Sequence, residues 1–475
     1  MVFSSNAFLF LFLPLFLAIY YVTPNRYRLR NWVVLLGSYA FYAWWRVDFL
    51  FLFIGVTVWN YLIGLMIARH GARTTGAGRW LALGVTVDLL MLGYFKYANF
   101  GVASFNALLT GAGFEPFVLS HVILPIGISF YVFESISYIM DVNRGDVEAT
   151  RHPVDFATFL ALFPHLIAGP VFRYKDLAEQ FESRDHSFDK FGEGATRFMQ
   201  GFVKKVFIAD SIAPMANQAF ALADPTTGDA WLGAIAYTMQ LYFDFSGYSD
   251  MAIGLGLMMG FRFMENFNQP YISQSITEFW RRWHISLSSW LRDYLYVPLG
   301  GNRHGVFNTY RNLFLTMLLG GLWHGANWTF VIWGAWHGAI LSVERALGVK
   351  VGSAGRFAFG RWALTLLFVV LGWVIFRADN VDVAFRMYAA MFSVGDLHLS
   401  EVFAGDIDRL QIATLIAALA IVAICGIRQR LPAQRFAWPA PARATAAIGL
   451  LVPLFLLALL KLSAQSYSPF LYFQF

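Results

Sequence analysis

LLGGLWHGANWTFVIWGAWHG, Leu318 to Gly338, holds no Asp, Glu, Lys or Arg and continues an apolar stretch that begins near Leu313. About 20 such residues make one bilayer crossing, so the segment reads as membrane-buried helix. His324 falls about midway along it, where an ionisable side chain is costly and is treated as functional by default. An imidazole at that depth is expected to be uncharged near pH 7 and able to accept a proton, as a general base acting on a hydroxyl must. Gly320, Gly321, Gly325 and Ala326 remove side-chain bulk beside it and allow close approach of a second helix or a substrate chain. A buried histidine that only bridges two helices is the plainer alternative. On one straight helix, His337 would stand about 220° and roughly 20 Å away from His324, so a metal shared by the two is not expected.

Upstream lies ITEFWRRWHISLSSWLRDYLY, Ile276 to Tyr296. Trp283, Leu287, Trp290 and Leu291 recur at helical spacing on one apolar face, with Arg281, Arg282, Arg292 and Asp293 on the polar side. Tryptophans among cations suit a helix lying in the cytoplasmic interface of a bilayer. His284 sits within it, either as a reacting group or as an interfacial histidine that merely satisfies hydrogen bonds. A third cluster, LYFDFSGYSDMAIGLGLMMGFRF from Leu241 to Phe263, embeds Asp244, Ser246, Tyr248, Ser249 and Asp250 among apolar residues. Acids there must face a polar cavity or a partner, to orient a histidine, line a substrate path or hold neighbouring helices. Glu134 in SFYVFESISYIMD and His165 in FPHLIAGPVFR are likewise set in apolar surroundings. Pro164 and Pro170 predict a broken, re-entrant segment there, tolerated where protein buries it.

The whole chain agrees with a membrane solvent. Of 475 residues 58% are hydrophobic and only 13% charged, with a net charge of +6; a soluble domain carries roughly a quarter charged residues. Spans are expected near 6 to 23, 31 to 45, 48 to 68, 80 to 95, 118 to 140 and 154 to 172. Others follow near 197 to 220, 230 to 262, 310 to 347, 362 to 376, 411 to 427 and 445 to 462. MVFSSNAFLFLFLPLFLAIYYV has no basic n-region or small-residue cleavage site and reads as a retained first span. Arg26, Arg28 and Arg30, and the acid-free set Arg428, Arg430, Arg435 and Arg443, mark cytoplasmic loops. Between 377 and 410, Arg377, Arg386 and Arg409 face Asp379, Asp382, Asp396, Glu401, Asp406 and Asp408, so that loop and both termini are expected outside. The mixed-sign stretch 173 to 196 reads as a solvated loop or short helix. A single cysteine, Cys425, excludes a disulfide framework or a thiolate cluster. No HExxH, GxSxG, P-loop or dinucleotide fingerprint occurs, and nucleic-acid binding has no support.

SITEFWRRWHISLSSWLRDYLYVPLGGNR followed by GGLWHGANWTFVIWGAWHG resembles the membrane-bound O-acyltransferase family. MVFSSNAFLFLFLPLF, GYFKYANFG, FPHLIAGPV and YFDFSGYSDMAIGLGLMMGF extend the likeness over most of residues 1 to 345. The resemblance runs closest to the bacterial branch that acetylates exopolysaccharide, with alginate the first choice of polymer. It implies an all-α, polytopic, multi-pass protein of the bacterial inner membrane, a single transmembrane domain over residues 1 to 475. The family's fold would be a ring of about 11 or more tilted helices, with re-entrant and interfacial helices around a central funnel. It implies His324 as the family's catalytic histidine and His284 as its second polar position. Asp244, Tyr248, Asp250, Arg281, Trp283, Trp323 and Asn327 are the candidates for support or substrate binding. It also implies a cytoplasmic acetyl donor, acetyl-CoA or an acetylated acyl carrier protein, no bound cofactor or metal, and periplasmic acetyltransferase partners. The rival expectation is a polysaccharide or lipid-carrier flippase without chemistry, which intramembrane acids and broken helices would suit equally.

Overall fold

The computed structural model describes residues 1–349, 357–393, 395–430, 445, 447–465 and 470–471. Among them the regular elements are all helical, with no β-strand. In chain order they are α1 (Phe8–Val22), α2 (Tyr27–Ala43), α3 (Val47–His70), α4 (Thr75–Gly111), α5 (Ile128–Arg144), α6 (Pro153–Ala161) and α7 (Tyr174–Glu182). Then come α8 (Phe188–Phe202), α9 (Asp210–Ala221), α10 (Thr227–Met258), α11 (Ile276–Trp280), α12 (Ile285–Leu291), α13 (Gly305–His324) and α14 (Trp328–Ala346). The last are α15 (Phe359–Arg377), α16 (Val381–Phe392), a short helix Glu401–Asp406, α17 (Arg409–Arg430) and α18 (Val452–Gln465). Helices α3, α4, α15 and α17 are long and apolar enough to cross a bilayer. Their outward faces stay apolar, as in Phe51, Leu62, Leu90, Ile416 and Ile424, which suits lipid rather than water.

Several expected spans are shorter or broken, each for a local reason. The span expected from 118 starts only at Ile128, because Gly127 takes a left-handed φ of 77° at the N-cap of α5. The stretch 154 to 172 divides into α6 and a single turn, Phe163–Leu166, where Pro164 cannot continue the preceding helix. Segment 310 to 347 is two helices, α13 and α14, separated by Gly325, Ala326 and Asn327. Of the basic set read as the last cytoplasmic loop, Arg428 and Arg430 sit in the final turn of α17, whereas Arg435 and Arg443 lie outside the described residues.

The chain forms two compact units. The first comprises Met1, Ala7–Gly192 and Leu255–Phe263. Its interior is packed by aromatic rings and by close helix contacts; a Cβ at Gly64 of α3 would lie 2.6 Å from the Tyr138 ring of α5. Glu134 and His165, both fully buried, meet at 2.9 Å, and the Phe172 N–H donates to Glu134 at 3.3 Å. Within the mixed-sign stretch, α7 buries Tyr174, Leu177 and Phe181 and leaves its charges outward. Asn31 joins this region to α6, donating to Asp155 at 2.7 Å and accepting from Arg184 at 2.7 Å. The second unit comprises Val2–Asn6, Glu193–Gly254 and Met264–Phe475.

Candidate active site

Within the second unit, α13 and α14 cross closely because small residues face each other. A Cβ at Gly321 would lie 2.3 Å from the Phe330 carbonyl oxygen, and one at Gly334 2.6 Å from that of Met317. The glycines therefore supply the close helix approach their sequence positions predict. At the end of α13 the chain turns, and Asn327 caps α14 by accepting from the Thr329 N–H at 3.1 Å. His324 is thus the last residue of a helix at a break, rather than the middle of a continuous one. It is 5% exposed and boxed by rings: Trp323, Trp333 and Phe376 approach edge-on at centroid distances of 5.1, 5.0 and 5.3 Å.

The break changes the geometry of the histidine pair. His337 lies on the second helix, with its ring 4.9 Å from Trp333, so one indole contacts both imidazoles. The straight-helix separation does not apply. Trp280 donates its indole N–H to His337 Nδ1 at 3.4 Å, which packs His337 against α11.

The segment read as one interfacial helix is likewise two short ones, α11 and α12. Between them His284 adopts a left-handed conformation, φ 44° and ψ 55°, at the N-cap of α12. That region is sparsely populated for any residue with a side chain, and such strain gathers at functional sites. The apolar face itself is as read: Trp283, Leu287, Trp290 and Leu291 are buried, while Arg281 and Arg292 are exposed. His284 is fully buried. Its Nδ1 lies 3.2 Å from Asn266 Oδ1 and 3.3 Å from Ser286 Oγ. Its ring meets Phe245 at 4.7 Å and Trp323 at 6.1 Å. Trp323 therefore touches the imidazoles of both His284 and His324 and links the two motifs.

The remaining candidates divide. Trp283 packs on Trp373 at 4.9 Å and Phe279 at 5.6 Å, beneath the same aromatic cluster. Asp250 lines a cavity of about 220 Å³ with Arg197, Lys204, Ser249, Glu265 and Asn266. Within it Asp250 accepts from Arg197 at 2.8 Å and from Lys204 at 2.6 Å. Asp244 pairs with buried Lys205 at 2.7 Å, and Lys205 also meets Asp210 at 2.6 Å, an arrangement that holds helices together. Tyr248 is sandwiched by Phe3 at 4.7 Å and Phe470 at 4.6 Å. Asn327 already uses both ends of its amide, since its Nδ2 donates to the Asp379 carbonyl at 2.9 Å. Arg281 stands exposed, apart from the buried cluster. Sequence reading passed over Asn266, which lies in the irregular stretch NFNQP; an asparagine there carries no periodic or motif signal.

Several helices long and apolar enough to cross a bilayer, a buried histidine at a helix break and a second one between two neighbouring short helices define a class. This chain belongs to the membrane-bound O-acyltransferase family, whose sequence profile matches residues 148–381 and so takes in both histidines, and it is an acyltransferase. A protein of Pseudomonas putida named probable alginate O-acetylase is 66% identical over the whole of both chains. One of the same name from Pseudomonas aeruginosa is 61% identical, again over the whole of both. A peptidoglycan O-acetyltransferase of Helicobacter pylori is 36% identical over 86% of this chain and 84% of its own.

Proposed function

We propose that this protein transfers acetyl groups from a cytoplasmic thioester donor across the bacterial inner membrane for O-acetylation of alginate, with His324 as the general base. The end-to-end similarity to alginate O-acetylases supports the polymer and supports reading the chain as one functional transmembrane domain. Family membership supports acyl transfer over a flippase without chemistry. The expected helical ring and central funnel, with the donor entering from the cytoplasm and the acceptor from the periplasm, belong to this reading. So do periplasmic acetyltransferase partners that pass the group to the polymer. Acetyl-CoA or an acetylated carrier protein would serve as donor.

The observation that carries the reading is the placement of His324 in an aromatic box at the α13–α14 break, joined to His284 through Trp323. In the reaction, neutral His324 takes the proton of the acceptor hydroxyl as its oxygen attacks the acetyl carbonyl. The C–S bond then breaks, and the proton passes from the imidazolium to the departing thiolate. Indole N–H groups of the cluster would stabilise the oxyanion that forms on the way, while His284 helps to position the reacting groups. The test is His324→Ala in a strain that depends on this chain, reading acetyl groups on the secreted polymer while immunoblotting confirms insertion. Loss of acetylation with the protein inserted supports the assignment; normal acetylation ends it.

A further inference from the structure

Asn266 is buried, 1% exposed, and uses both ends of its amide and its carbonyl in hydrogen bonds. Its Oδ1 accepts from the Ser286 N–H at 3.3 Å and from Ser286 Oγ at 2.9 Å, and faces His284 Nδ1 at 3.2 Å. Its Nδ2 donates to Ser249 Oγ at 3.2 Å, and its carbonyl accepts from the Ile285 N–H at 3.0 Å. A backbone N–H can only donate, so the Ser286 contact fixes Oδ1 as the acceptor face of the amide. His284 must then present Nδ1–H to it, which leaves Nε2 with the lone pair. Among the described residues His284 Nε2 is buried and has no hydrogen-bond partner. On a residue held in a strained backbone conformation beside a helix break, that acceptor is available to a ligand.

We propose that Asn266 is a positioning residue for acyl transfer, locking His284 in the Nδ1–H tautomer so that Nε2 faces the reacting groups as an acceptor. Ser249 completes the device by holding the amide in one orientation. This rests on the reading of His284 as part of the reaction site. The polar partners of His284 are Asn266 and Ser286, and its ring partners Phe245 and Trp323, none of them charged. The cavity that Asn266 lines carries the charges of Asp250, Glu265, Arg197 and Lys204, which are paired with one another. An uncharged acceptor therefore sets the tautomer without stabilising imidazolium, as a carboxylate would.

The experiment compares Asn266→Leu, Asn266→Asp and His284→Ala in purified protein reconstituted in vesicles, measuring acetyl-CoA consumption with polymer present. Asn266→Leu is expected to lower kcat about 100-fold or more with KM for the donor unchanged. Asn266→Asp, which still accepts from Nδ1–H, should keep kcat within about tenfold, with the acid limb of its pH profile moved to higher pH. If His284→Ala loses activity while folded Asn266→Leu keeps the wild-type kcat, the role of Asn266 is overturned and the site stands. If His284→Ala itself keeps the wild-type rate, the underlying reading fails instead. Should the Asn266 variants not fold, ¹⁵N-histidine spectra of wild type and His284→Ala decide by difference. Protonated Nδ1 with bare Nε2 supports the proposal, and protonated Nε2 overturns it.

Discussion

Replacing Gly321 by Ala tests whether the α13–α14 crossing fixes His324. The new methyl would sit 2.3 Å from the Phe330 carbonyl oxygen and 3.0 Å from the Gly334 Cα, where ordinary contact begins at 3.4 Å. Both neighbours are backbone, so no side chain can rotate away, and the helices must part by about 1 Å at that point. Overpacking of this kind costs about 1–3 kcal/mol. His324 lies one turn further along the same helix, and a displacement of about 1 Å of a reacting group lowers rate by about 10²-fold. Gly320→Ala is the matched control. Its methyl meets only the tip of Leu291 at 3.1 Å, which can turn aside. Acetyl-CoA consumption per folded protein in vesicles, with thermal unfolding in detergent, should show Gly321→Ala far slower and less stable than Gly320→Ala. Equal rates and equal melting for the two would refute the close crossing as the support of His324.

Three further outcomes follow from other parts of the molecule. Lys205→Met should destabilise the second unit by about 3–5 kcal/mol, because Asp244 and Asp210 lose their shared cation; adding Asp244→Asn should restore part of the loss in detergent unfolding. Trp333→Ala removes a ring packed on His324, His337 and Trp373 and should cost about 3–5 kcal/mol, together with activity, as read by melting and acetyl transfer. His186, in the polar stretch outside the spans, is pushed down to about 4, chiefly by burial and then by Arg30 and Arg184. Because its folded value lies below its unfolded one, its contribution is present in full above about pH 6.5 and is lost as pH falls towards 4. His186→Gln should flatten stability across that window; an unchanged slope would assign the dependence elsewhere.

Costly buried polar positions were more legible in the sequence than the shapes that present them. An imidazole amid the apolar residues of LLGGLWHGANW is conspicuous because it is costly, and the glycines beside it pointed to a close approach without saying which element would make it. The break after His324 was not legible, since Gly325 and Asn327 are tolerated in membrane helices and only packing against α14 settles the turn. Nor could periodicity reveal that Arg281 to His284 interrupts the interfacial helix. The left-handed His284 is held by Asn266, a neighbour in space. Composition said that Asp244, Asp250 and Glu134 needed partners, and the fold supplies Lys205, Lys204 with Arg197, and His165. Those pairings are tertiary, and no local pattern encodes them.

The most direct measurement is acetyl transfer by His324→Ala, compared with wild type for rate, insertion and melting temperature. A fall of about 10²–10⁴-fold with insertion and melting unchanged is the predicted result. Transfer at the wild-type rate by an inserted His324→Ala protein would contradict the account.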